Sequence, residues 1–150
     1  MAGRYFESNY LRMPVISKGY FYERLPAVFV KPKTDFTVLC LRLRLVIQFP
    51  APSMLSMQSS LYVLVKNMIS LLESMGFLSL EVIQAKLLVS FYEMGHGIHP
   101  AASISISACA RTARAQGLNK NFQRIPEDHA ARLRLEVEKR VWWAVMNLDR

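Results

Sequence analysis

The sequence predicts an all-α fold, an irregular helical bundle, on three observations. Residues 58–75, QSSLYVLVKNMISLLESM, place apolar side chains at helical spacing and stop at Gly76. Residues 80–93 are apolar on most sides, the pattern of a central and buried helix. Residues 100–116 lie between Pro100 and Gly117, the proline-start, glycine-end bracket of one complete helix. The 150 residues amount to about one domain, and 52% of them are hydrophobic, enough to build a core.

Residues 1–35 read as an irregular arm. Pro14, Pro26 and Pro32 prevent long helices there, and Tyr5, Phe6, Tyr10, Tyr20, Phe21, Tyr22 and Phe29 are expected to dock on whatever follows. Residues 36–150 read as the helical domain. Its first element, DFTVLCLRLRLVIQFP, carries two signals. Leu41-Arg42-Leu43-Arg44-Leu45 alternates like a strand. Leu39, Leu43, Val46 and Ile47 also sit at helical spacing, and no second strand stands nearby to satisfy the backbone. A helix over 36–49 follows, with Asp35 as a cap and Phe49-Pro50 as its end.

The helix over 58–75 shows a stripe of Leu61, Leu64, Met68, Leu71, Leu72 and Met75, and Phe77 is placed to fold back on its last turn. Ser79 is a natural N-cap for the next helix, with Glu81 in its first turn. Leu80, Val82, Ile83, Leu87, Leu88, Phe91 and Tyr92 surround that helix, and Gly95 and Gly97 break it. In the 100–116 helix, Ser103, Ser107, Arg111 and Arg114 fall within about 80° of one another at about 100° per residue. The opposite arc, Ala101, Ser105, Ala108, Cys109 and Thr112, is small enough for close helix approach. The last helix, from about Pro126, has a stripe of Ala130, Leu133, Val137, Val141, Ala144, Val145 and Leu148. Trp142 and Trp143 are adjacent, point about 100° apart, and cannot both face one core.

The chemistry-bearing residues weaken on inspection. His96 and His99 lie in a glycine-flanked turn, and Cys109 lies almost three turns down the following helix on its packing side. A tetrahedral zinc site takes at least three protein ligands. No serine stands in a strand-to-helix elbow, and no paired acid and base groups suggest an enzyme. Cys40 and Cys109 form no disulfide framework. The run Phe36–Phe49 is too short and too charged, with Arg42 and Arg44, for a membrane span. The net charge of +8 is concentrated in the first and last thirds. It permits contact with nucleic acid, yet no recognised base-reading fold accompanies it.

One stretch carries a stronger signal. EVIQAKLLVSFYEMGHGIHPAASISISACARTARAQGLNK is followed by EVEKRVWWAVMNLDR. A helix end with Arg111, Ala113, Gly117 and Leu118 precedes a second helix with Glu136 or Glu138, Lys139, Arg140, Trp142, Trp143, Asp149 and Arg150. From about residue 36 onward these residues resemble the fungal-specific transcription factor domain, the middle regulatory region of zinc binuclear cluster (Zn2Cys6-type) transcription factors. Asn119 stands where that family has a histidine.

The resemblance implies an all-α, nuclear regulatory module involved in regulation of transcription, and not an enzyme. It marks Arg111, Gly117, Leu118, Arg140, Trp142, Trp143, Asp149 and Arg150 as motif residues of structural role. Zinc and DNA contact are implied only through a six-cysteine cluster that two cysteines cannot build, so no cofactor is expected here. Implied partners are other parts of a full-length transcription factor, a second copy of the chain, or a small-molecule effector. Alternative readings are a ligand-sensing helical module and a basic helical domain that binds nucleic acid without sequence preference. The resemblance also implies a fragment cut within the last helix, with one tryptophan and Met146 left on an exposed patch.

Overall fold

A computed structural model describes residues 2–9, 13–30, 33–48 and 57–150, and every regular element among them is helical. In chain order these are α1 (Ala2–Arg4), a π-helical turn (Tyr5–Asn9), α2 (Lys18–Arg24), α3 (Ala27–Val30), α4 (Thr34–Val46), α5 (Ser60–Ser74), α6 (Leu80–Gly95), α7 (Ala101–Ala115), a 3-10 turn (Leu118–Gln123) and α8 (His129–Leu148). The alternating Leu-Arg-Leu-Arg-Leu segment is therefore helical. Asp35 does not cap α4 in the expected way; Lys33 is the N-cap residue, and Asp35 Oδ1 accepts from the adjacent Phe36 N–H at 2.8 Å. The helix stops at Val46, and the expected stop at Phe49-Pro50 lies outside the described residues.

α6 is the hub. It packs chiefly on α4 and α7, with α5 and α8 completing its surround. Val82, Ile83, Ala85, Leu87, Leu88, Val89 and Tyr92 are all buried, as an all-round apolar helix must be. Gln84, Lys86, Ser90 and Glu93 are buried too, and each has at least one partner, although Glu93 Oε2 has none among the described residues. Gln84 Nε2 donates to Val15 O at 2.6 Å, and Ser90 Oγ donates to Lys86 O at 3.1 Å. Ser79 caps the helix by accepting from Val82 N–H, and Ser59 and Asp128 cap α5 and α8 in the same manner. α8 begins three residues after Pro126 because the Asp128 carboxylate takes the cap position.

The N-terminal arm joins the same core. Tyr5, Met13, Val15, Ile16 and Phe21 belong to the buried cluster built on α6. Phe6 meets Phe21 edge-on at 5.9 Å, and Phe21 meets Phe36 of α4 at 5.3 Å. Docking is selective, since Tyr20, Tyr22 and Phe29 stay exposed.

Two helices present different faces from those read in the sequence, and a third departs from its expected stripe only at the start. α5 buries Tyr62, Val65, Ile69 and Leu72 and leaves Leu64, Leu71 and Met75 exposed. This helix is apolar on two sides. The side carrying Tyr62 wins, because its hydroxyl reaches a buried carboxylate on α6. α7 buries Ala102, Ile106, Cys109, Ala110 and Ala113; of the expected arc only Cys109 is fully buried, and Ala101, Ser105, Ala108 and Thr112 are half-buried. The contact is still small-sided, so α7 lies close on α6. On α8 the expected stripe is inward at Val137, Val141, Ala144, Val145 and Leu148, whereas Ala130 and Leu133 at its start are exposed and Leu135 is buried instead.

Glycine ends the central helices where the sequence places it. Gly76 and Gly117 adopt φ of 74° and 75°. At Gly76 the chain closes with Phe77 N–H donating to Leu72 O and Gly76 N–H to Glu73 O, a six-to-one and five-to-two pair. Phe77 itself remains exposed and does not fold back into the core. Gly97, not Gly95, is the left-handed residue after α6, and α6 continues through Gly95. At Gly117 a Cβ would meet nothing within 4 Å, so only backbone conformation disfavours a side chain. Gly117→Ala is therefore expected to lower stability by about 1 kcal/mol, the lower end of the left-handed penalty. Urea melts of the two proteins check it.

Candidate functional site

The most chemically loaded place in the chain is a buried polar cluster between α4, α5, α6 and α7. Arg42 comes from the middle of α4, where its neighbours Leu39, Leu43 and Leu45 are all buried, and it is only 1% exposed. Its Nη2 donates to Val65 O on α5 at 3.3 Å. Nε and Nη1 have no partner among the described residues. Burial pushes this guanidinium down to about 9, against the opposing pull of Glu93, Tyr62 and Cys109. It stays charged at neutral pH.

Glu93, at the end of α6, is fully buried. Its Oε1 accepts from Tyr62 Oη at 2.6 Å and from Lys66 Nζ at 2.8 Å. Lys66 also donates to Ser105 Oγ of α7 at 3.1 Å. Burial, then the hydrogen bond and charge of Glu93, push the Tyr62 phenol well up. About two turns back along α6, Lys86 pairs with Glu73 of α5 and donates to Thr112 Oγ1 of α7 at 2.8 Å. Thr112 in turn donates to Ala108 O at 3.0 Å. Two ion pairs thus tie α5 to α6, each with a hydroxyl of α7 as a third member.

A cavity of about 190 Å³ sits within this cluster. Arg42, Lys66, Glu73, Lys86 and Ser105 line its polar side, and Ile69, Val89 and Ile104 its apolar side. None of these polar residues stood out in the sequence as a site. The available signal was the presence of Arg42, Lys86 and Glu93 inside segments otherwise reading as fully buried.

The residues singled out by resemblance lie elsewhere, around the ends of α7 and α8. Arg111 is exposed on α7. Gly117 makes the left-handed turn that delivers Leu118 into the core. Arg140 pairs with Glu136 one turn before it on α8. Trp142 is half-buried and packs against the main core. Asp149 ends α8, with Oδ2 4.0 Å from Arg114 and Oδ1 3.5 Å from Ser107 Oγ, which ties this end of α8 to α7. Arg150 is exposed. Leu118, Trp142 and Asp149 thus join α7 to α8, whereas Arg111 and Arg150 face solvent.

Trp143 is 55% exposed and Met146 half-buried, so the tryptophan pair is split between core and surface. Acrylamide is expected to quench one indole readily and the other poorly, and Trp143→Ser to remove the accessible component. Fluorescence titration with and without the substitution checks both.

His96 Nδ1 lies 2.8 Å from Tyr92 O, and its ring packs 4.2 Å from the Tyr92 ring. The buried Cys109 thiol faces Ile83 O, and desolvation pushes it up to about 12. Cys40 is half-buried. Among the described residues no three His, Cys, Asp or Glu side chains stand together as metal ligands. No helix among them is long and apolar enough to cross a membrane.

No family model matches the chain, and no solved structure does. The chain is similar to a curated protein from Botryotinia fuckeliana (strain B05.10) named Transcription factor BOA15, with 34% identity over 116 residues. That match covers 77% of this chain and 64% of the relative, so the chain spans a little under two thirds of the relative's length, and over that span it is related in sequence to a protein named as a transcription factor.

Proposed function

We propose that this chain is a regulatory helical module of a transcription factor, acting in the nucleus through helix packing and contacts with protein or effector rather than by reading DNA bases. The observation that carries the reading is the 34% identity, over 116 residues, to a protein named as a transcription factor. The Arg111–Leu118 and Arg140–Arg150 segments, which resemble the fungal-specific transcription factor domain, lie at the α7–α8 junction and support the finer assignment. A six-cysteine zinc cluster does not fit the cysteines present: Cys109 is sealed between α6 and α7, and Cys40 has no second thiol in reach on α4. Zinc and base readout therefore belong, on this reading, to another part of a larger protein. The +8 charge supplies phosphate attraction without specificity.

Fusion of this chain to a heterologous DNA-binding domain tests the proposal. The fusion is expected to collect in the nucleus and to change transcription from a promoter carrying the tethering site. The chain alone is expected to bind defined and scrambled duplexes equally weakly at physiological salt. A silent reporter, or strong preference of the chain for one duplex, overturns the reading.

A further inference from the structure

We propose that the cavity between α4, α5, α6 and α7 is a binding site for a small monoanionic carboxylate with a short apolar tail, held by Arg42. The charge balance points there. Lys86 is matched by Glu73, and Lys66 by Glu93. Arg42 lines the same cavity and makes no ion pair among the described residues, so one positive charge is left without a carboxylate of its own. Two of its three guanidinium nitrogens have no acceptor among the described residues, in a side chain that is 99% buried by area. A buried charge with unpaired donors is costly, and an acceptor anion removes that cost on binding.

The surroundings select the class of anion. Glu73 lines the cavity and Glu93 interacts electrostatically with Arg42, so a second negative charge would be repelled. That favours a monoanion over a phosphate dianion. Ile69, Val89, Ile104 and Ala108 offer an apolar wall suited to a few methylene or methyl groups. The cavity volume of about 190 Å³ accommodates a short-chain acid. Water alone filling the cavity is the competing occupant.

Calorimetric titration and thermal melting of the purified chain with butyrate, butyramide and inorganic phosphate, at constant ionic strength, test the site. Butyrate is expected to bind saturably and raise the melting temperature, while butyramide and phosphate do neither. Arg42→Met, which keeps the volume and removes the orphan donors, is expected to weaken butyrate binding by at least about tenfold, the loss of a charge-assisted hydrogen bond. Ala108→Leu, which fills the cavity and spares Arg42, is expected to weaken it likewise, and it carries the test if Arg42→Met does not fold. The proposal is overturned if butyrate binds no better than butyramide, if phosphate binds in its place, or if a folded variant of either kind binds butyrate as the parent does. These readouts use the purified chain alone, so their failure leaves the transcriptional reading standing.

Discussion

Glu93→Ala is expected to lower the free energy of unfolding by about 3 kcal/mol, the lower end of the range for breaking a buried ion pair by removing one partner. Glu93 is fully buried and accepts from both Tyr62 and Lys66. Its loss strands a phenol donor and removes a carboxylate whose charge favours the buried Arg42 guanidinium. Lys66 softens the effect because its side chain is 36% exposed and can be hydrated instead. Two milder variants separate the contributions. Tyr62→Phe leaves the Lys66 pair intact and is expected to cost about 1 kcal/mol, the net worth of one hydrogen bond. Glu93→Gln keeps an acceptor for Tyr62 and is expected to fall between the two. Denaturant titrations of the three variants give the order, and a Glu93→Ala protein as stable as the parent would contradict a stabilising role for this pair.

Leu87→Ala is expected to cost about 3 kcal/mol, through lost burial and the cavity left behind. Leu87 is fully buried on α6, which is enclosed by α4, α7, α5 and α8, so no side of the helix is free to collapse into the gap. The control is Leu71→Ala on α5. Leu71 belongs to the stripe that spacing alone assigns to the core, yet it is exposed, and its truncation is expected to change stability by no more than about 0.5 kcal/mol. Ile69→Ala, two residues away and buried, is expected to cost about 2 kcal/mol or more. Equilibrium melts of the pair distinguish the two faces of α5 directly. Equal losses at Leu71 and Ile69 would mean that α5 is buried on both sides.

The sequence by itself determined the all-α class, the central place of α6, and the helix ends marked by Ser79, Gly76 and Gly117. Those features are local. Ser79 caps with its own hydroxyl, and Gly76 and Gly117 turn because glycine lacks a Cβ. The helical nature of α4 was also legible, since a lone alternating segment has no strand to pair with. The split of Trp142 and Trp143 followed from the 100° step between neighbours.

Only the tertiary structure decided which face of α5 and α7 turns inward. A helix with apolar residues on two sides has two nearly equivalent stripes, and the choice is made by a partner on another helix. For α5 that partner is Glu93, thirty-one residues from Tyr62 in the chain. The polar cavity was hidden for the same reason. Arg42, Lys66, Lys86 and Glu93 each read as an isolated charge on its own helix, and they become one cluster because α4, α5, α6 and α7 bring side chains from four separate segments to a common centre, where low polarity makes every unpaired charge count.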